Sequence, residues 1–356
     1  MTMRPDVVQG GSEAAASRFV CTANRGFAQL AQEEIRRLVA DAKFTALQAS
    51  ETFLLRTSST SVDEVVASLR AREPIFLRHL FPVAFALPLT GTTEDLTELI
   101  RATKQLDRKL MDSDVAVQAG KMERTLLTYS PSDLKTVLEP VIQEAFGADS
   151  VVREADWVVS LYASRTELYI GVSRPEDNLS DWPGGAIRFR REEGQISRAK
   201  FKLLEAEQQF RLDLADFREA LDIGAAPGGW TSLLLERGLR VTAVDPAEMD
   251  ESLRHHPRLT VLRQNAADAK LTPGRFDLLV CDMSWDPLRM AELVKRLLPA
   301  VSRDGLILTT VKLMHGKAFA TLREVERIME PEAKLVATKQ LFHNREELTC
   351  RWRRTT

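Results

Sequence analysis

The chain has 356 residues, a formal net charge of −2, 44% hydrophobic residues and 28% charged residues, the composition of an ordinary globular protein of two or three domains. The balanced charge excludes a generally basic nucleic-acid coat, and no segment approaches the ~18 unbroken apolar residues of a membrane-spanning helix. Cys21, Cys281 and Cys350 are too few and too scattered for a disulfide framework or a Cys-x-x-Cys metal site, so a reducing, cytoplasmic setting and no bound metal are expected.

Residues 1–17 lack the basic segment and apolar core of a secretory signal and are expected to form a flexible leader. Residues 18–90 then show a strand, a turn and an amphipathic helix in "RFVCTANRGFAQLAQEEIRRLVA", followed by the strand-like "TFLLRTS" and the helical "VDEVVASLRA", a small α/β domain. Residues 91–178 read as a second small α/β unit. It opens with the helix "TTEDLTELIRATKQLDRKL", capped by Thr92 and Thr93, and closes with the strands "DWVVSLYAS" and "TELYIGVS". Residues 179–200 are rich in turn formers and charge and are expected to be a basic linker. Over 201–356 strands alternate with helices of about a dozen residues, which predicts a doubly wound, Rossmann-like sheet with parallel strands.

In such sheets a ligand sits beyond the carboxyl ends of the strands, near the point where the strand order reverses. "LDIGAAPGGW" is a strand that leaves through Gly224 into a turn of Ala226, Pro227, Gly228 and Gly229, and Trp230 opens the helix beyond. Asp245, Asn265 and Asp282 follow the next three strands. Ala226 and Pro227 break the G-x-G-x-x-G spacing that a pyrophosphate needs. S-adenosylmethionine, which has no phosphate, fits the looser turn, with Asp245 taking the hydroxyls of its ribose. "DMSWDP" after the fourth strand is not the Pro-Pro-aromatic sequence usual in methylation of exocyclic amines. No cysteine follows a proline, as the nucleophile for C5 methylation of cytosine often does, and Cys281 lies within an apolar strand as a core residue.

"SRAKFKLLEAEQQF", "LDIGAAPGGW", "VCDMS", "TTVKL" and "FHNREELTCRWRR" together resemble the FtsJ-like family of ribosomal RNA 2′-O-methyltransferases, strongly over residues ~185 to 354. The ending and the long N-terminal part are closest to its RlmM branch, which implies a cytidine of 23S rRNA as target and an RNA-binding THUMP domain before the catalytic one. The resemblance implies a catalytic Lys-Asp-Lys-Glu tetrad at Lys202, Asp282, Lys312 and Glu347, with Glu346 as the alternative for the last member. Asn265 stands where the family usually has an Asp that contacts the adenine; an amide also pairs with that edge.

The chemistry suits these residues. A ribose hydroxyl is a weak nucleophile, and a lysine serves as its base only after losing its own proton, which burial and a second cation favour. Lys312 is the expected proton acceptor and Lys202 the neighbouring cation. Each also has a plainer alternative as a solvated surface group, and Glu347 as a partner of Arg345 or Arg351 on an exposed edge. Arg188, Arg190, Arg191, Arg198 and Lys200 are expected to line the RNA path by holding phosphates, and Trp285 either stacks a base or packs. The expected partner is ribosomal RNA or a large-subunit assembly intermediate, with the protein acting as a monomer. The alternatives are another RNA such as tRNA, or an RNA-binding protein that has lost catalysis.

Overall fold

The computed structural model describes residues 16–191, 193–314 and 317–356. The expected leader therefore lies outside the described residues except for Ala16 and Ser17. Ser17 is not mobile: it is buried, and its N–H donates to Thr57 Oγ1 at 3.1 Å. The chain divides into two units, Met1–Ile187 and Arg188–Thr356.

The first unit holds two sheets. β1 (Arg18–Ala23), β2 (Lys43–Gln48), β3 (Thr52–Arg56) and β4 (Leu77–Pro82) pair antiparallel in the order β2-β3-β1-β4, accompanied by α1 (Ala28–Leu38) and α2 (Val62–Ala71). α1 buries Ala28, Ala31 and Ile35, the three-four spacing visible in the sequence, and a Ser61–Glu64 capping box starts α2. The second sheet, β5-β9-β8-β6-β7, is built from β5 (Phe85–Pro88), β6 (Asp114–Lys121), β7 (Asp149–Ser150), β8 (Trp157–Ala163) and β9 (Glu167–Ser173), with α3 (Glu94–Thr103) and α4 (Pro131–Phe146).

β5 thus belongs to the second sheet although it falls inside the expected 18–90 domain; four residues ending in proline carry too little pattern to announce an edge strand. α3 stops at Thr103, short of the expected Leu110, and its cap differs in part from expectation. Thr92 Oγ1 accepts from the Glu94 N–H at 3.2 Å as expected, but Thr93 makes no side-chain cap bond, and buried Asp95 reaches back to accept from the N–H groups of Thr90 and Gly91 at 2.7 and 2.9 Å. The two sheets share a cluster of Val20, Leu54, Phe81, Tyr162 and Tyr169. They approach so closely that a Cβ on Gly171 would lie 1.7 Å from the carbonyl oxygen of Pro82.

The second unit is one seven-stranded sheet in the order β12-β11-β10-β13-β14-β16-β15. Its elements are α5 (Ala199–Gln209), β10 (Glu219–Ile223), α6 (Gly229–Glu236), β11 (Arg240–Val244), β12 (Leu259–Leu262), β13 (Phe276–Cys281), α7 (Pro287–Leu297), β14 (Val301–Lys312), α8 (Ala318–Met329), β15 (Ala333–Lys339) and β16 (Glu347–Arg354). The strands from β10 to β14 pair in parallel, but β16 runs antiparallel to both neighbours. The expected all-parallel sheet is therefore corrected at this end. The chain crosses from β14 through α8 to β15 and then turns straight back between them, and a short turn forces an antiparallel return.

One face of the sheet buries Ala220, Leu278, Val280, Leu306 and Leu308 against Trp230, Leu233 and Leu234 of α6. Each such leucine contributes roughly 1.5–3 kcal/mol by leaving water. The expected linker is split rather than free: residues from Arg188 onward belong to this unit, and the Phe189 ring stacks on Phe201 of α5 at 5.6 Å. Its apolar anchor was hidden by the basic residues around it.

Candidate active site

The order of the second sheet reverses between β10 and β13, which places a crevice beyond their carboxyl ends. The glycine turn enters it from β10. Gly224 (φ 73°) and Gly228 (φ 116°) occupy backbone conformations that side chains strain, and a Cβ on Gly228 would lie 2.4 Å from Leu253 Cδ1. Asp245, at the end of β11, holds this turn by accepting from the Ala226 N–H at 3.1 Å and the Ala247 N–H at 2.8 Å. Gly228→Val is expected to cost about 1–3 kcal/mol in backbone strain alone; it should abolish detectable cofactor binding in calorimetry, while Gly238→Ala, away from the crevice, should not.

Three carboxylates converge at these strand ends. Asp222, buried inside β10, accepts from Thr231 Oγ1 at 2.6 Å. Burial first, then the charges of Asp282 and Asp245, push its carboxyl up to about 7. So dense a group of acids in an apolar setting is suited to a ligand carrying positive charge. S-adenosylmethionine, with a sulfonium and an ammonium, meets that requirement.

The four expected catalytic residues meet at one point, although α5, the ends of β13 and β14 and the start of β16 supply one each. Lys202 Nζ donates to both oxygens of Asp282 at 3.1 Å and lies 2.6 Å from Glu347 Oε1. Lys312 Nζ donates to the other Glu347 oxygen, Oε2. Asp282 is further held by Thr310 Oγ1 at 2.9 Å, and Asn344 Nδ2 donates to Glu347 Oε1 at 3.4 Å.

The sheet register explains the pairing: Lys312 and Glu347 are directly opposite on β14 and β16, so their side chains leave the same face. Glu346 is exposed and outside the strand, and contributes its carbonyl to the Leu313 N–H at 2.8 Å. Glu347 pairs with neither Arg345 nor Arg351 at an edge: β16 is an interior strand, and the Glu347 side chain is 3% exposed.

The electrostatics differ from expectation in one respect. Burial disfavours the Lys202 ammonium, but the charges of Asp282 and Glu347 and their hydrogen bonds outweigh it and hold this lysine above its ordinary value. Burial likewise opposes ionisation of Glu347, and Lys202 and then Lys312 overcome it, so its carboxyl stays below the usual range. A carboxylate lies between the two cations, so Lys202 acts as a fixed charge rather than as a lysine poised to lose its proton.

Lys202, Lys312 and Glu347 line an open cavity of about 1000 Å³ whose walls also include Trp285, Arg198 and Arg345. Of the residues expected on the RNA path, Arg188, Arg190, Arg191 and Arg198 are exposed. Lys200 is not: it is buried, with Nζ 2.8 Å from Glu236 Oε2. Two positions along α5 turn Lys200 away from the face that carries Lys202, and the sequence does not show that a glutamate of α6 awaits it. Trp230 packs, its ring buried and its N–H donating to the Ala199 carbonyl at 2.9 Å. Asn265 is exposed just after β12. Cys281 is wholly buried, and burial pushes its thiol up to about 12. His315, whose sequence surroundings lack metal-ligand spacing, lies outside the described residues.

Asp222, Thr310, Asn344 and Ser197, whose Cβ would sit 2.9 Å from a Cβ on Gly229, were not singled out from the sequence. Asp222 alone left a signal there, an acid inside an otherwise apolar strand just before the glycine turn. Among the described residues no three His, Cys, Asp or Glu side chains form a metal-binding group, and no helix is long and apolar enough to cross a membrane.

A seven-stranded sheet with β16 reversed, a glycine turn at the switch point and an acidic crevice define the methyltransferase class, and residues 195–330 match the FtsJ-like methyltransferase family. The chain is 30% identical over 350 residues to the ribosomal RNA large subunit methyltransferase M of Laribacter hongkongensis, covering 93% of this chain and 95% of that protein. It is 36% identical over 203 residues to the protein of that name from Azotobacter vinelandii, covering 53% of this chain and 56% of the other. Among solved structures, TrmN from Thermus thermophilus is similar over 95% of this chain and 99% of that one, at 15% identity and a TM-score of 0.43. The chain belongs to the ribosomal RNA large subunit methyltransferase M family, and it is an S-adenosylmethionine-dependent methyltransferase.

Proposed function

We propose that the chain transfers a methyl group to the 2′-hydroxyl of a ribose in ribosomal RNA, with a cytidine of 23S rRNA, naked or in a large-subunit assembly intermediate, as its target in the cytoplasm. The observation that carries this reading is the Lys202–Asp282–Lys312–Glu347 cluster, three of whose members, Lys202, Lys312 and Glu347, line an open cavity. A binding module has no use for two lysines held on one buried carboxylate, which disfavours an inactive scaffold. S-adenosylmethionine supplies an electrophilic methyl group when bound; the Gly224–Gly229 turn, Asp245, Asn265 and Asp282 are the groups to hold it.

Lys312 Nζ, delivered by the last residue of β14, first releases its own proton to water in the open cavity and then, as the neutral amine, takes the proton from the 2′-hydroxyl. Glu347 orients that amine from across the strand pair, and Asp282, fixed by Thr310, aims Lys202 as a standing positive charge beside the oxygen as it gains negative charge. Alignment of the attacking oxygen with the methyl then rests on side chains anchored at strand ends. The preceding unit, read as including a THUMP-like RNA-binding domain, would recognise the shape of the RNA.

Incubating the protein with labelled S-adenosylmethionine and unmodified 23S rRNA, then mapping label by nuclease digestion and mass spectrometry, tests this reading. A 2′-O-methylcytidine is expected; label on tRNA or on a base would overturn the target or the chemistry. Replacing Arg188, Arg190 and Arg191 together by Gln is expected to flatten the slope of log affinity against log salt by about 0.7 for each phosphate no longer neutralised. Cofactor affinity, read by calorimetry, should be unchanged.

A further inference from the structure

The chain has five tryptophans, and four have evident structural places. Trp230 donates to a helix carbonyl, Trp352 is buried with its N–H on Thr309 Oγ1 at 3.0 Å, Trp157 lies between Lys109 and Arg174, and Trp182 lies beneath the Arg153 guanidinium at 4.0 Å. Trp285 is 48% exposed. It is three residues beyond Asp282 and lines the cavity that holds Lys202, Lys312 and Glu347.

An indole left half in water forfeits much of the burial that makes tryptophan worthwhile in a fold. Its turn is nevertheless firmly built. Asp286 caps α7 by accepting from the N–H groups of Leu288 and Arg289 at 3.0 and 3.1 Å, and Pro287 fixes the first helical residue. The ring therefore directly precedes a capped helix start.

The cavity wall has three chemically distinct parts. It is lined by the lysine–carboxylate cluster, by the cationic Arg198 and Arg345 and by the apolar Trp285 and 43%-exposed Met314, with the acidic Asp286 and Glu346 beside them. A nucleotide divides the same way, into a ribose, an anionic phosphate and a flat base. Resting on the proposed RNA reading, we infer that Trp285 is the stacking platform for the base of the nucleotide whose ribose enters the cluster. It holds that base out of the RNA stack during methyl transfer. Because every base has a π face, the platform extracts the nucleotide without choosing its identity; that choice lies with groups on the base edge.

The test uses the full chain, Trp285→Ala and Trp285→Phe, with unmodified rRNA and with a short oligonucleotide spanning the mapped site. Trp285→Ala is expected to raise KM for RNA about tenfold and to leave cofactor affinity and melting temperature unchanged, and Trp285→Phe should recover most of the loss. RNA should quench tryptophan fluorescence in the wild type, and this quench should vanish in Trp285→Phe, a signature that a packing role would not produce. An unchanged KM in Trp285→Ala, a quench that persists in Trp285→Phe, or a fall in cofactor affinity or melting temperature would overturn the inference. A wild type that quenches with RNA but methylates no ribose would instead overturn the proposed reaction, leaving the stacking contact standing.

Discussion

Lys312→Ala is expected to lower kcat by about 10²–10⁴-fold, with the dissociation constant for S-adenosylmethionine within about twofold of the wild type. Loss of a positioned proton acceptor removes an interaction realised only as the hydroxyl is attacked, so it should appear in kcat rather than in ground-state binding. Lys312→Arg should be equally inactive, because a guanidinium keeps the charge but does not give up its proton in a protein. Rapid-quench transfer of labelled methyl to 23S rRNA separates these outcomes. A Lys312→Arg enzyme of normal rate would show that the residue supplies charge and not a base.

Glu347→Gln is the second large effect, and it falls on stability as well as on rate. The carboxylate is almost wholly buried and holds Lys202 and Lys312 together; an amide in its place leaves two ammonium groups facing each other. Breaking a fully buried pair costs about 3–5 kcal/mol. Lys202 retains Asp282 and both lysines keep some water, so about 2–3 kcal/mol is expected, or about 5–10 °C in melting temperature for a unit of this size.

The pH dependence carries a sign. The Glu347 carboxyl is lowered in the fold, so its stabilisation is present above the unfolded value of about 4.3 and lost as pH falls through the folded one. Lys202 is raised, so its stabilisation is present below about 10.4 and lost as pH rises through the folded value. The wild-type contribution is therefore flat from about pH 5 to pH 10. In Glu347→Gln the carboxylate's contribution is absent, so its melting temperature should lie below that of the wild type across this range, and the gap should narrow as pH falls below about 4.3. Parallel melting curves for the two proteins would show that Glu347 does not carry the pairing.

Much of the catalytic unit is legible from the residues because parallel strands and their glycine turn impose strict local chemistry. The apolar runs ending on Asp245 and Asp282 have few alternatives, and their carboxyl ends must share one edge of the sheet. What was hidden depends on partners far away in the chain. β15 escaped notice because its exposed Lys334 and Val336 blur the alternation. Lys200 looked like a phosphate contact because its neighbours are basic, whereas its position is decided by Glu236. Glu346 and Glu347 are indistinguishable by composition. Only the register of β16 against β14 separates them, since a shift of one residue turns every side chain to the opposite face.

The placement of β16 also bears on the order in which this protein becomes competent. The strand follows β15 in sequence yet lies inside the sheet, between β14 and β15, so until it inserts β15 has no partner there and Lys202 and Lys312 have no carboxylate to share. One strand thus joins two tasks: β16 fills the sheet between β14 and β15 and brings the carboxylate that both lysines share.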